Sequence, residues 1–294
     1  MSDVKPIEPL AGKELRILQL TELELLIEFD RICRKNKIRY TIIGGTLLGA
    51  VRHKGFVPWD DDADVALLRS DYDAFVKALE RDLDQERFYF QDRERTECYR
   101  WGYGKLRRKG TSFVRPNTEH LPYEQGVYID VMPVDYIPDG KTGQLICNLI
   151  CFFFRKAYWS EVGKQTESNH LYRFFYKILS FIPLSALNRG FKKFTVYLNR
   201  KPTTYLRCLA VPVVTSRGNS GYWRYRSKWL EHLEDYEFEG YPLAGFADSE
   251  SPLRRMYGDY LKPVKFPPVS LSGCELLPIS EIQVDEKLKE GYGT

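Results

Sequence analysis

The stretch Gly44–Leu68, GGTLLGAVRHKGFVPWDDDADVALL, constrains this chain more than any other. A Gly-Gly-Thr turn leads into a short amphipathic run, and four aspartates within five residues then run straight into an apolar β-type segment. Read as a strand over Trp59–Leu67, alternation points Asp60, Asp62 and Asp64 one way. Ala63, Val65 and Leu67 then point to the core, with Asp61 at the rim. Carboxylates two apart on a strand repel one another unless protonated or neutralised, and a hard divalent cation held by oxygens removes the conflict. A calcium loop would need Gly next and a later bidentate Glu, but Asp64 is followed by Val-Ala-Leu-Leu. The expectation is a magnesium or manganese site.

Gly44, Gly45 and Thr46 sit between a β-rich run (Ile38–Ile43) and a helix start that Thr46 can cap. Glycines admit close approach of a ligand, and helix amides with a hydroxyl can hold phosphate. A phosphate-holding turn followed by a metal-holding strand supplies two parts of a phosphoryl-transfer site. A third acid is expected from Asp130, which interrupts the apolar run of GVYIDVM. Asp135 follows Pro133 and reads as a turn residue. Arg52 and Lys105 are the expected partners of donor phosphates; His53 reads as a loop histidine.

Around this centre the chain reads as helix 13–35, a second strand 58–68, and a helix from Ser70, with Asp73 completing a capping box, to about Leu83. β segments follow at 87–91, 99–108, 112–115 and 126–131, and Pro133, Pro138 and Gly140 break the pattern. Residues 141–200 are helical, aromatic and basic. The expected division is a catalytic core at 1–140, a helical region at 141–215 and a C-terminal part at 216–294. The net charge of +4 on 294 residues argues against a nucleic-acid-coating protein. The amino terminus lacks a secretory pattern, and the most apolar run, Leu145–Phe154, is too short to span a bilayer. Six scattered cysteines without CxxC pairs read as reduced thiols, and the expected compartment is the cytosol.

GGTLLGAVRHKGFVPWDDDADV, QGVYIDVMPVD and the later YGDYLKP together resemble the LicD family, over about residues 15–265. The resemblance implies an α+β fold with a nucleotidyltransferase-like mixed sheet flanked by helices, carrying a helical insertion and a C-terminal extension. It matches Gly44, Gly45 and Thr46 to a phosphate-binding turn, Asp62 and Asp64 to a metal-binding pair with Asp60 close by, and Asp130 to the third carboxylate. Ala63 stands where the family often has Ile. The implied reaction moves phosphocholine, or ribitol or glycerol phosphate, from a CDP-linked alcohol such as CDP-choline to a glycan or lipid-linked glycan, releasing CMP. Asp60 or Asp130 would take the hydroxyl proton. A nucleoside-triphosphate-dependent nucleotidyltransferase releasing pyrophosphate uses the same residues, and a non-catalytic binding protein is the third alternative. The basic aromatic helices add an expectation of peripheral contact at the inner face of the cell membrane.

Overall fold

A computed structural model describes residues 10–115, 118–212, 224–262 and 273–290. The chain begins with α1 (Gly12–Lys35), β1 (Thr41–Ile42), α2 (Gly44–His53), β2 (Asp64–Leu68) and α3 (Arg69–Asp82). Strands β3 (Phe88–Gln91), β4 (Gly104–Arg108), β5 (Ser112–Val114) and β6 (Tyr128–Ile137) follow. Four helices then intervene: α4 (Lys141–Tyr158), α5 (Ser160–Thr166), α6 (His170–Leu179) and α7 (Leu184–Leu198). The remainder comprises β7 (Tyr205–Arg207), β8 (Tyr225–Arg226), the hairpin β9 (Leu233–Phe238) and β10 (Tyr241–Phe246), α8 (Glu250–Tyr257) and β11 (Gly273–Glu275).

The main sheet runs β1-β2-β6-β4-β3, and β7 and β8 extend from β6. Strands β2 and β6 are parallel, and the other pairs are antiparallel. This is the expected mixed sheet flanked by helices. Helix α1 has apolar residues on every side and is buried along most of its length, as such a helix must be. The C-terminal hairpin, α8 and residues 277–284 share one hydrophobic core with α1, α2 and the sheet. The helical segment leaves after β6 and returns as β7, which pairs with that same strand, so α4–α7 form an insertion between two neighbouring strands.

Several local readings are corrected. Strand β2 begins at Asp64 rather than Pro58, because residues 58–62 face no partner strand and fold instead as a turn closed by Asp60 N–H to Val57 O (2.9 Å). Helix α3 starts at Arg69 with no side-chain cap, so the Ser70/Asp73 capping box does not form. The segment read as a strand from Tyr99 is extended only from Gly104. Strand β6 continues through Pro133 to Ile137. Proline is tolerated there because β4 pairs only as far as Val131 and β7 begins only at Asp135, leaving a gap on that edge.

Candidate active site

The parallel register of β2 on β6 sets Asp64 directly beside Asp130. Just upstream, the turn at 58–62 is clamped to α1 by the Gln19 side chain, which donates to the carbonyls of Val57 (3.3 Å) and Asp60 (3.0 Å). A flat strand would have sent Asp61 away from its neighbours. The turn instead gathers Asp60, Asp61 and Asp62, one carboxylate oxygen of each lying within 4.8 Å of the others. The tightest triplet is therefore 60, 61 and 62 rather than the expected 62, 64 and 130. Asp62 is common to both sets: it raises the proton affinity of Asp60 and Asp64 and is itself affected by Asp130.

Helix α2 begins at Gly44, two residues before the expected cap, with Ile43 as its N-cap. The Thr46 hydroxyl is used differently: it accepts the Asp64 N–H at 2.8 Å, while Ile43 N–H reaches Asp64 O at 3.1 Å. The turn is thus stitched to the start of the acidic strand. Gly44 has φ +61°, and a Cβ there would lie 3.2 Å from an Asp64 carboxylate oxygen; at Gly45 it would collide with the Asp60 carboxylate. Both glycines are needed because carboxylates lie against their backbone at the positive end of α2.

Burial dominates the electrostatics. It pushes Asp60 up to about 8 and Asp62 up to about 6, neighbouring carboxylates adding to both shifts. Asp64 is raised well above the usual range by burial and then by Asp62 and Asp130. Two cations oppose this charge. Lys105 is buried, ion-paired to Asp130 and set 3.3 Å from the Tyr128 ring centroid; burial lowers its ammonium to about 8. Arg115 reaches Asp61 at 3.5 Å and donates to the Tyr128 hydroxyl at 2.9 Å.

Among the expected residues, Asp60, Asp62, Asp64, Asp130, Gly44, Gly45, Thr46 and Lys105 are brought together. Lys105 serves Asp130 here rather than an open phosphate position. Arg52 is in the last turn of α2, eight residues and about 12 Å along the axis from Gly44, so it is not brought to the acids. His53 is exposed beside it. Asp135 is not in a turn: it is a fully buried member of β6, held by Arg69 (2.7 and 2.8 Å) and Asn199 (2.6 Å). Five residues from Asp130, it faces the other side of the strand, already neutralised.

Sequence reasoning missed Glu22, Gln19 and Arg115. Glu22 is a buried carboxylate of α1, raised well above its usual range by burial and by Asp62, Asp61 and Asp60, and its Oε2 has no hydrogen-bond partner. Its signal was present: an acid inside a helix whose apolar residues cover every face must be buried with it. The donor set suits a hard divalent cation, being oxygen only, crowded, and with one buried oxygen left without a partner.

A cavity of about 790 Å³ opens at the other ends of β2 and β6, where β4 stops and β7 begins. Its walls include Arg69, Arg93, Trp101 and Tyr103 from the core and Phe191 and Lys192 from α7. Trp101 and Tyr103 also stand 5.2 and 5.3 Å from the Lys105 ammonium, so these rings separate the cavity from the acidic cluster. The Arg93 guanidinium stacks 3.3 Å over Tyr158, and its buried Nε and Nη1 have no hydrogen-bond partner.

A strand, a Gly-Gly helix start and two parallel acidic strands on a mixed sheet define a nucleotidyltransferase-like domain. Residues 37–138 match the family described as LicD/FKTN/FKRP, nucleotidyltransferase domain. The chain is 27% identical over 285 residues to the lipopolysaccharide cholinephosphotransferase LicD of Haemophilus influenzae, an alignment covering 95% of this chain and 97% of that protein. Shorter matches join it to uncharacterized proteins of Rickettsia typhi (42% over 60 residues, 20% of this chain and 19% of that one) and Rickettsia prowazekii (44% over 52 residues, 18% and 20%).

Proposed function

We propose that this chain is a phosphotransferase that moves a phosphocholine-type group from a CDP-linked alcohol, CDP-choline first among them, to a hydroxyl of a lipopolysaccharide or related surface glycan. The observation that carries this reading is the convergence of Asp60, Asp62, Asp64 and Asp130 on the start of α2, with a full-length relative named for that transfer in support. Asp62, Asp64 and Asp130 would hold magnesium or manganese, which when bound supplies positive charge against the donor diphosphate and the departing CMP. Asp62 and Asp130 are the carboxylates that act most on Asp64, and Asp61, paired with Arg115, is left out of that set.

The amides of Gly44 and Gly45 and the positive end of α2 orient the diphosphate. Lys105 exchanges Asp130 for a phosphate oxygen when the donor arrives, which keeps the buried ammonium paired. The acceptor hydroxyl oxygen bonds to the phosphorus bearing the alcohol. The bond from that phosphorus to the bridging oxygen breaks, its electron pair leaving with CMP, and the hydroxyl proton passes to Asp60. Asp60 suits that task because, among the described residues, no cationic side chain is paired with it. A nucleotide donor places the reaction in the cytoplasm.

Incubation with CDP-choline and lipopolysaccharide, with magnesium or with EDTA, tests the proposal by chromatography of the released nucleotide. CMP in step with choline incorporation is the expected result, abolished by EDTA and reduced at least about 10²-fold in Asp62→Asn with an unchanged circular dichroism spectrum. Pyrophosphate formed from CTP and phosphocholine, without transfer from CDP-choline, would replace the reading with nucleotidyl transfer.

A further inference from the structure

The insertion is built the wrong way round for a helix that ends at the protein surface. On α6, Leu171, Phe174, Phe175 and Ile178 follow i, i+3, i+4, i+7 spacing, the stripe that normally packs on a core. Here that stripe faces solvent: Leu171 is 75% exposed and Phe174 62%, and Phe181 just beyond the helix reaches 85%. Helix α4 does the same with Leu145, Leu149 and Phe152, and α7 with Val196 and Tyr197. Of the 14 large hydrophobics exposed among the described residues, 13 lie between 145 and 197. Scattered surface apolar residues are ordinary, but this concentration marks an interaction surface.

Charge identifies what covers it. Residues 141–200 carry ten Lys and Arg against two Glu, a net +8. The rest of the chain carries 34 against 38, a net −4. The whole positive excess of the protein is therefore concentrated where the apolar surface is, and Lys177, Arg189 and Lys193 among these cations are exposed. A second copy of this surface would bring +8 against +8, which disfavours self-association through it. No helix among the described residues is long and apolar enough to cross a membrane. Helix α6, with ten residues, is only about 15 Å long. Short amphipathic helices with exposed aromatic residues and flanking Lys and Arg have the composition of elements that lie in a bilayer interface.

We propose that α4, α6 and α7 dock this protein on an anionic lipid surface, their Phe and Leu side chains entering the headgroup boundary and their cations meeting lipid phosphates. Flotation of the full chain with vesicles tests this without donor or acceptor, so its failure and a failure of the transferase chemistry are told apart. The protein is expected to float with vesicles of equal phosphatidylglycerol and phosphatidylcholine at 50 mM salt, and at least about tenfold less at 500 mM salt or with phosphatidylcholine alone. The variant F174S/F181S removes two exposed rings and leaves every carboxylate of the acidic site in place, and it should weaken partitioning about tenfold per ring. The variant K177E/K193E should weaken it about fivefold or more per site. Absence of flotation at 50 mM salt overturns the proposal. So does equal flotation of the folded ring variant, or a concentration-dependent dimer that this variant abolishes.

Discussion

The crowded carboxylates should give the metal-free protein a pH dependence opposite to ordinary acid denaturation. A carboxyl whose folded pKa is raised binds its proton more tightly in the native state. The resulting stabilisation is complete below the unfolded value and is lost as pH rises through the folded one. Asp62 rises from 3.8 to about 6 and Asp60 from 3.8 to about 8, so the window runs from about pH 4 to pH 8. Each pH unit within such a window costs about 1.4 kcal/mol per group. From pH 5 to pH 8 Asp62 then loses about 1.4 kcal/mol and Asp60 about 4, about 5 kcal/mol together, and Asp64 and Glu22, raised in the same direction, act with the same sign. Lys105 does not cancel this: its lowered value near 8 adds stability only above that pH. With a urea slope of about 3 kcal/mol per molar, the midpoint in EDTA should fall by roughly 2 M between pH 5 and pH 8. Saturating magnesium or manganese should flatten the dependence, since a cation stabilises the ionised cluster that protons otherwise protect. Tryptophan fluorescence during urea titration reads both. A midpoint that rises from pH 5 to pH 8 in EDTA, or one unmoved by either metal at pH 8, would refute the electrostatic account.

Three further outcomes follow from the same geometry. Arg69→Met leaves Asp135 buried without its cation, and chemical denaturation should show a loss of about 3–5 kcal/mol. Gly45→Ala drives a methyl into the Asp60 carboxylate; it should cost about 1–3 kcal/mol and lower transferase turnover, whereas Gly140→Ala, with open space around its Cβ, should leave turnover unchanged. Glu22→Gln removes a carboxyl whose proton affinity burial and the neighbouring aspartates raise, so stability in EDTA should fall less between pH 5 and pH 8 than in the parent, and an unchanged dependence would take Glu22 out of the cluster.

What could be read from the sequence was whatever depends on neighbours in the chain. The long apolar periodicity of α1, the Gly-Gly turn before an amphipathic run and the aspartates entering a hydrophobic segment each carry their own signal. Readings failed where distant partners decide. Thr46 had the chemistry of an N-cap, but the Asp64 N–H, eighteen residues on, claimed its hydroxyl. Pro133 read as a breaker because the gap between β4 and β7 along β6 is made by residues far apart in sequence. Asp130 and Asp135 looked like competitors for one role. Only the sheet shows that their opposite faces, and the Arg69 waiting on one of them, assign the roles differently. Arg115 carried no local mark at all; its meaning comes from Asp61 and Tyr128.

The division of charge between core and insertion bears on how one chain can serve an acidic site and an anionic surface together. Carboxylates that hold a cation against a diphosphate lose their use if nearby lysines neutralise them, and lysines that attract a lipid surface lose theirs beside aspartates. Among the described residues, Lys105 and Arg115 are the cations paired with these acids, one with Asp130 and one with Asp61. The remaining positive excess is moved into α4–α7, a segment that enters and leaves the sheet through β6 and β7. At physiological salt, charges more than about 8 Å apart across solvent are largely screened. A basic insertion can therefore meet an anionic surface while the aspartates stay free for a metal and a nucleotide. Inserting α4–α7 between two paired strands keeps that basic surface fixed relative to the cavity that α7 helps to line. An acceptor held at the membrane would then meet the catalytic domain in a defined orientation, which a basic tail on a flexible linker would not provide.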